Sequence, residues 1–175
     1  MGMSNIVDIL VCVDARSIIK KYPSLSQDPE NPTLINDELF YYITNFSNIY
    51  IPENNTNGKM EIKAYIGDNI RWRAISLSQQ FEYAAILYKM TGTIINKIIT
   101  NPKLDQSEIN SSYIVNNSDR LDIEKELKKK SFFQSVAIGS GGGKYSWLMA
   151  IYQQKELKGY IKHPPLEIGK ITFPI

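Results

Sequence analysis

The segment Gly67-Asp68-Asn69-Ile70-Arg71-Trp72-Arg73 most constrains what this chain can fold into, because it drives a tight turn straight into a strand of alternating polarity. Gly67-Asp68 supplies the turn. Ile70 and Trp72 then fall on one face and Arg71 and Arg73 on the other, which is the period-two pattern of a half-solvated strand. The residues just before repeat it, with Met60, Ile62 and Ala64 on one side and Lys59, Glu61 and Lys63 on the other. Asn54-Asn55-Thr56-Asn57-Gly58 marks a turn ahead of that run. By itself the segment assembles no activated nucleophile, no base with a partner and no closed metal site, so it identifies an architecture and not an activity.

The rest of the chain reads mostly as strands. Asn5 to Asp14 is rich in Ile and Val and predicts a largely buried first strand. Asp14 fits an N-cap for a short helix over Ala15 to Tyr22, stopped by Pro23, with Ile18 and Ile19 facing inward. Ser24 to Asp37 holds Pro29, Pro32 and several Asp, Asn and Ser residues, as an irregular surface loop would. Strands are expected over Glu38 to Thr44, Ser47 to Ile51, Phe81 to Met90 and Thr93 to Thr100. Asn101 to Asn117 reads as a long polar connection. Ser118 to Lys130 fits a short helix, acids early and Lys128-Lys129-Lys130 late, or a solvated loop entering a strand over Ser131 to Ile138. From Tyr145 to Tyr152 both alternating faces are mostly apolar, so that strand is expected to be central.

Composition narrows the function classes. With 175 residues and 43% hydrophobic content, the chain suits one domain over residues 1–175. Its 20 basic and 18 acidic residues leave a formal charge of +2, which argues against a nucleic-acid partner or an electrostatic membrane anchor. No apolar run approaches the roughly 20 residues of a membrane span. The apolar run Ile6 to Val13 is broken by Asp8 and preceded by no basic residue, so no signal peptide is expected and the protein reads as made inside the cell. Asn45-Phe46-Ser47 and Asn110-Ser111-Ser112 are accordingly read as composition and not as glycan sites.

Several motifs invite chemistry and fail on spacing or ligands. Gly139-Ser140-Gly141-Gly142-Gly143-Lys144 lacks the earlier glycine of a phosphate loop, where Ile138 stands, and has Tyr145 where Ser or Thr is required. It reads as a hairpin connection. Cys12 and His163 are the only residues of their kinds, which excludes an internal disulfide, a blue-copper site and a Cys-His dyad within one chain. Cys12 is expected to be a small buried side chain, and His163, beside Lys162 and Pro164, a surface residue. Trp72 and Trp147 have apolar neighbours at two-residue spacing and are read as core, with stacking on sugar rings the less favoured role. Arg71 and Arg73 read as the outer face of a strand, or as a grip on a carboxylate. Asp68 and Glu82 are the weak candidates for a carboxylate-dependent hydrolase.

Many short strands, Gly/Asn/Pro turns and one or two short helices add up to an all-β fold, a jelly-roll-like antiparallel β-sandwich. Asn5 to Val11, Gly67 to Arg73, Ser76-Leu77-Ser78, Phe81-Glu82-Tyr83 and Ile86-Leu87-Tyr88-Lys89 together resemble the PixA/AidA family of bacterial inclusion-body proteins, in the same order across most of the chain. The resemblance implies a non-enzymatic protein that self-associates in cytoplasmic inclusions, open to later release, in bacteria that live with or infect animals. After the Gly159-Tyr160 pair the resemblance leads one to expect an aromatic residue followed by Asp-Pro, and this chain has Ile161-Lys162-His163-Pro164-Pro165.

Two roles are compatible with such a protein: passive storage, and lectin-like carbohydrate binding in host interaction. For the second, the loop Ser26-Gln27-Asp28-Pro29-Glu30-Asn31 with Asn36-Asp37 offers the hard oxygen ligands that calcium prefers. Asp28, Asn31 and Asp37 are the ligand-binding candidates, and Asp28 and Asn31 the metal candidates. The spacing is not that of an EF-hand, and an ordinary solvated loop fits these residues better.

Overall fold

The computed structural model describes residues 5–49, 60–117 and 120–173. In chain order these form β1 (Ile6–Val13), α1 (Ala15–Lys21), β2 (Thr33–Leu34), β3 (Phe40–Thr44), β4 (Glu61–Tyr65), β5 (Asn69–Ser76), β6 (Tyr83–Gly92), β7 (Lys103–Asn117), β8 (Arg120–Val136), β9 (Gly141–Gln153), β10 (Glu156–Lys162) and β11 (Leu166–Thr172). Asp14 caps α1 as its position suggests, its carboxylate accepting the Ser17 N–H at 3.0 Å.

The strands make two sheets. One runs β3-β1-β5-β8-β7; the other runs β2-β10-β9-β11-β4, with β6 on the remaining side of β9. The all-β sandwich expected from the sequence is present, but its sheets are mixed: β1 with β5, β10 with β2 and β11 with β4 are parallel pairs. Side-chain alternation cannot report strand direction, because period two is the same in either sense.

Alternation does report which face is inside. Val7, Ile9, Val11 and Val13 of β1 and Ile70 and Trp72 of β5 are fully buried. Across the layer stand Tyr145, Trp147, Met149 and Ile151 of β9, with Trp72 packed on Trp147 at 5.8 Å between ring centroids. β9 is central, as its doubly apolar pattern predicts: Ser146, Leu148 and Ala150 are buried as well. The glycine run before it serves close packing. A Cβ at Gly142 would lie 2.4 Å from the Ile168 carbonyl oxygen, so only glycine lets β11 approach.

Turn chemistry explains the opening motif. Gly67 has φ +97°, and the buried Asp68 carboxylate accepts the Tyr65 N–H at 2.8 Å and the Asn5 N–H at 3.0 Å. One side chain thus closes the β4–β5 turn and fixes the entry to β1.

β7 and β8 depart most from the sequence reading. The expected connection over Asn101 to Asn117 holds the 15-residue strand β7, and the described part of the expected helix over Ser118 to Lys130, from residue 120 on, belongs to the 17-residue strand β8. They pair from Lys103↔Gln134 to Asn117↔Arg120 without a register break. β8 is joined to β5 only from Phe133 to Val136, so the remainder is a two-stranded arm projecting past the sheet. The late lysines that fit a helix dipole fit a strand equally well, since pairing with β7 settles the matter. Tyr113, for example, sits opposite Glu124 and its hydroxyl donates to that carboxylate at 2.7 Å.

Smaller corrections follow the same logic. Thr93 to Thr100 is a compact turn and not a strand; Asn96 takes φ 61° there, while Ile94 and Ile99 are buried. Phe46–Asn48 is a 3₁₀ turn and Ile49 makes a single bridge to Ile62 where a strand was expected. Residues 50–59, with the Asn54 to Gly58 turn, lie outside the described residues. Cys12 faces the outer side of β1 and is half-buried, with its thiol pKa raised by burial.

Candidate functional site

The loop proposed to hold calcium is built around an Asx-type turn. Asp28 Oδ1 accepts the Glu30 N–H at 2.9 Å, and Oδ2 accepts the Asn31 side-chain N–H at 2.6 Å. These bonds, the one from the Asn31 side chain foremost, hold the Asp28 carboxyl below its ordinary pKa. Asn31 thus offers Asp28 its amide nitrogen. The loop is seated on the second sheet, where the Tyr88 hydroxyl donates to the Pro29 carbonyl at 2.6 Å and Lys89 pairs with Glu30. Asp37 opens a 3₁₀ turn, Asp37–Leu39, beyond β2 in the chain. Among the described residues, no group of three or more His, Cys, Asp or Glu side chains is placed to hold a metal ion together.

The two carboxylates of the hydrolase reading are not brought together. Asp68 precedes β5 and is buried in its turn, whereas Glu82 follows the far end of β5 and pairs with Arg16 on the surface. An eight-residue strand separates them by about 25 Å at roughly 3.3 Å per residue. Arg71 and Arg73 are engaged within the chain. Arg71 grips Asp8 through two bonds of 3.0 and 2.8 Å, and Arg73 reaches the same carboxylate at 3.3 Å. The parallel register that sets Asp8 beside Arg71 makes this pairing possible.

His163 was misread as a surface residue. It is fully buried among the rings of Phe40, Tyr42 and Tyr145, with centroids 5.7, 5.8 and 6.5 Å away. The Trp147 N–H donates to its Nε2 at 2.8 Å, leaving Nδ1 to donate to the Pro164 carbonyl. Burial foremost pushes its pKa down to about 4, so the ring is neutral at pH 7. The flanking Lys162 and Pro164 suggested exposure; the alternation that carries Ile161 and His163 inward was the signal available.

A groove of about 530 Å³ opens where β8 parts from β5. Ala74 and Ile75 of β5, Ile86 and Leu87 of β6, Leu104 of β7 and Phe133 of β8 line it. From there the arm runs outward with Leu104, Ile114, Ile123 and Leu127 exposed by 59, 68, 72 and 69%. The cross-strand pairs Leu104↔Phe133, Asn110↔Leu127 and Ile114↔Ile123 place these apolar side chains on the face that continues the core side of the sheet. Sequence reasoning missed this surface because it did not recognise the strands that carry it.

The molecule is therefore a mixed two-sheet β-sandwich in which Asp28, Asn31, Asp68, Arg71, Arg73 and His163 are tied into scaffold interactions, and from which a hairpin projects. The chain belongs to the PixA inclusion body protein family, whose model matches residues 5–168. It is similar in structure to a crystallised PixA inclusion body protein from Burkholderia cenocepacia J2315, with TM-score 0.75 and 18% identity over 97% of this chain and 99% of that one. No curated protein matches the chain.

Proposed function

We propose that this protein acts without catalysis, by associating with copies of itself into cytoplasmic inclusions. The observation that carries this reading is the family match over residues 5–168, in a family described as inclusion body proteins. The arm supports it, because exposed apolar side chains on an unpaired strand edge favour association between chains. Overproduction in bacteria should give inclusions of folded protein, and light scattering of the purified chain should show oligomers that grow with concentration. A protein that stays monomeric and fully soluble at every concentration would refute it.

A calcium-assisted carbohydrate site at the Asp28 turn is the second reading. Its support is the exposed Asp28 carboxylate, kept ionised by its hydrogen bonds, with Glu30 two residues away. Against it, both Asp28 oxygens already accept hydrogen bonds. Calcium should raise the melting temperature and a glycan array should give saturable signals if the site is real; no shift and an empty array would end this reading.

A further inference from the structure

We infer that the arm carries the contact between copies: the free edge of β8 pairs with the same edge of a second copy, antiparallel, about a twofold axis at Leu127. This rests on the self-association reading above and names its surface.

The edge is available because β5 accompanies β8 only from Phe133 to Val136. At the base of the arm, the N–H and C=O of Ala137 face the β4–β5 turn, bonding Asp68 and Gly67, while the Val136 carbonyl accepts from Thr100 on the other side. Backbone groups alternate direction along a strand. The odd-numbered residues of the arm, Ile123 to Ser131, therefore aim their amide groups at the open side. An antiparallel pair centred on Leu127 joins odd residues to odd residues, as hydrogen bonding at that edge requires.

Charge fits the same register. Going from the tip to the base, β8 carries Asp122, Glu124 and Glu126, then Lys128, Lys129 and Lys130. The acids and Lys128 and Lys130 share one face, since all are even-numbered. A twofold at Leu127 sets Glu126 opposite Lys128 and Glu124 opposite Lys130, each twice by symmetry. A twofold at residue 126 would keep Glu124 opposite Lys128 and Asp122 opposite Lys130 but set Glu126 against itself on the axis, where the Leu127 register sets leucine against leucine; one at 128 would set Lys128 against itself and keep only Glu126 opposite Lys130. Lys125 opposite Lys129, on the other face, is the like-charged pair this register retains. Within one chain Glu126 already contacts Lys128 and Glu124 accepts from Tyr113, so the dimer extends these pairs into a ladder. The β7 edge has no such segregation: from Glu108 to Ser112 it reads Glu-Ile-Asn-Ser-Ser. The pairing also brings Ile123 of each copy beside Ser131 of the other, at the mouth of the groove lined by Leu104 and Phe133. Exposed apolar surface on both copies is covered there.

Charge swapping tests this. The double variant Glu124→Lys with Glu126→Lys faces lysine with lysine, and Lys128→Glu with Lys130→Glu faces glutamate with glutamate. In sedimentation velocity the wild type should dimerise with rising concentration. Each double variant should need at least about tenfold more protein to do so, as close like charges oppose association. An equimolar mixture of the two should recover wild-type dimerisation, because the facing pairs among positions 124, 126, 128 and 130 are again opposite in sign. Unchanged circular dichroism and melting temperature would exclude misfolding as the cause of any loss. If both double variants associate as the wild type does, the edge assignment is wrong while self-association stands. If the wild type itself is monomeric and forms no inclusions, both fall.

Discussion

His163 shows how far one buried side chain governs the behaviour of this sandwich. Its neutral ring accepts the Trp147 N–H and is wedged among three aromatic rings, so it ties β9 to the segment following β10. Below pH 6.5 the unfolded chain takes up a proton on this histidine that the folded chain refuses until about pH 4. The unfolded state therefore binds more protons in that window, and stability falls as pH drops through it. A shift of this size corresponds to about 3 kcal/mol, present in full above pH 6.5 and lost towards pH 4. Urea unfolding at pH 7.5 and 5 should show the loss in the wild type. In His163→Leu, which cannot titrate, the difference between the two pH values should shrink, although the variant is weaker at neutral pH because the Trp147 N–H loses its acceptor. Equal pH dependence in the two proteins would mean that other groups carry it.

The arm is a separate energetic element from the sandwich that bears it. Between Asp105 and Lys130 its described side chains are exposed or at most half-buried, so the core does not depend on them. Joining Gln106 to Ser131, which face each other across the ladder, by an Asn-Gly turn removes the arm and leaves a short hairpin. The melting temperature of dilute protein should change by no more than about 4 °C, equivalent to about 1 kcal/mol for a chain of this size. Calorimetry showing a loss of more than about 10 °C would make the arm part of the cooperative unit. The contrast between sandwich and arm also marks what could be read in advance. Ile70, Trp72 and the β9 residues announced themselves because one solvated face and one buried face write alternation into the sequence. The arm has water on both faces, and with no buried side to mark the period its charges looked like a helix or a loop. His163 and the parallel pairings were hidden for another reason: both depend on partners distant in the chain.

At the scale of the whole molecule the small net charge of +2, from 20 basic and 18 acidic residues, leaves little self-repulsion to keep copies apart. Attraction can then come from charge ladders such as the one proposed on β8, or from the apolar stripe alone, and salt tells them apart. Raising ionic strength from 0.15 to 1 M shortens the screening length from about 8 to about 3 Å and weakens exposed ion pairs, while apolar contacts are left intact or strengthened. If charge complementarity holds the inclusions together, washed inclusions should dissolve progressively in sodium chloride. The released protein should keep the blue-shifted fluorescence of Trp72 and Trp147, which are fully buried in the sandwich. Inclusions that resist salt and yield only to urea concentrations that also expose the tryptophans would place the cohesion in apolar or misfolded contacts, and would remove charge pairing from the account of assembly.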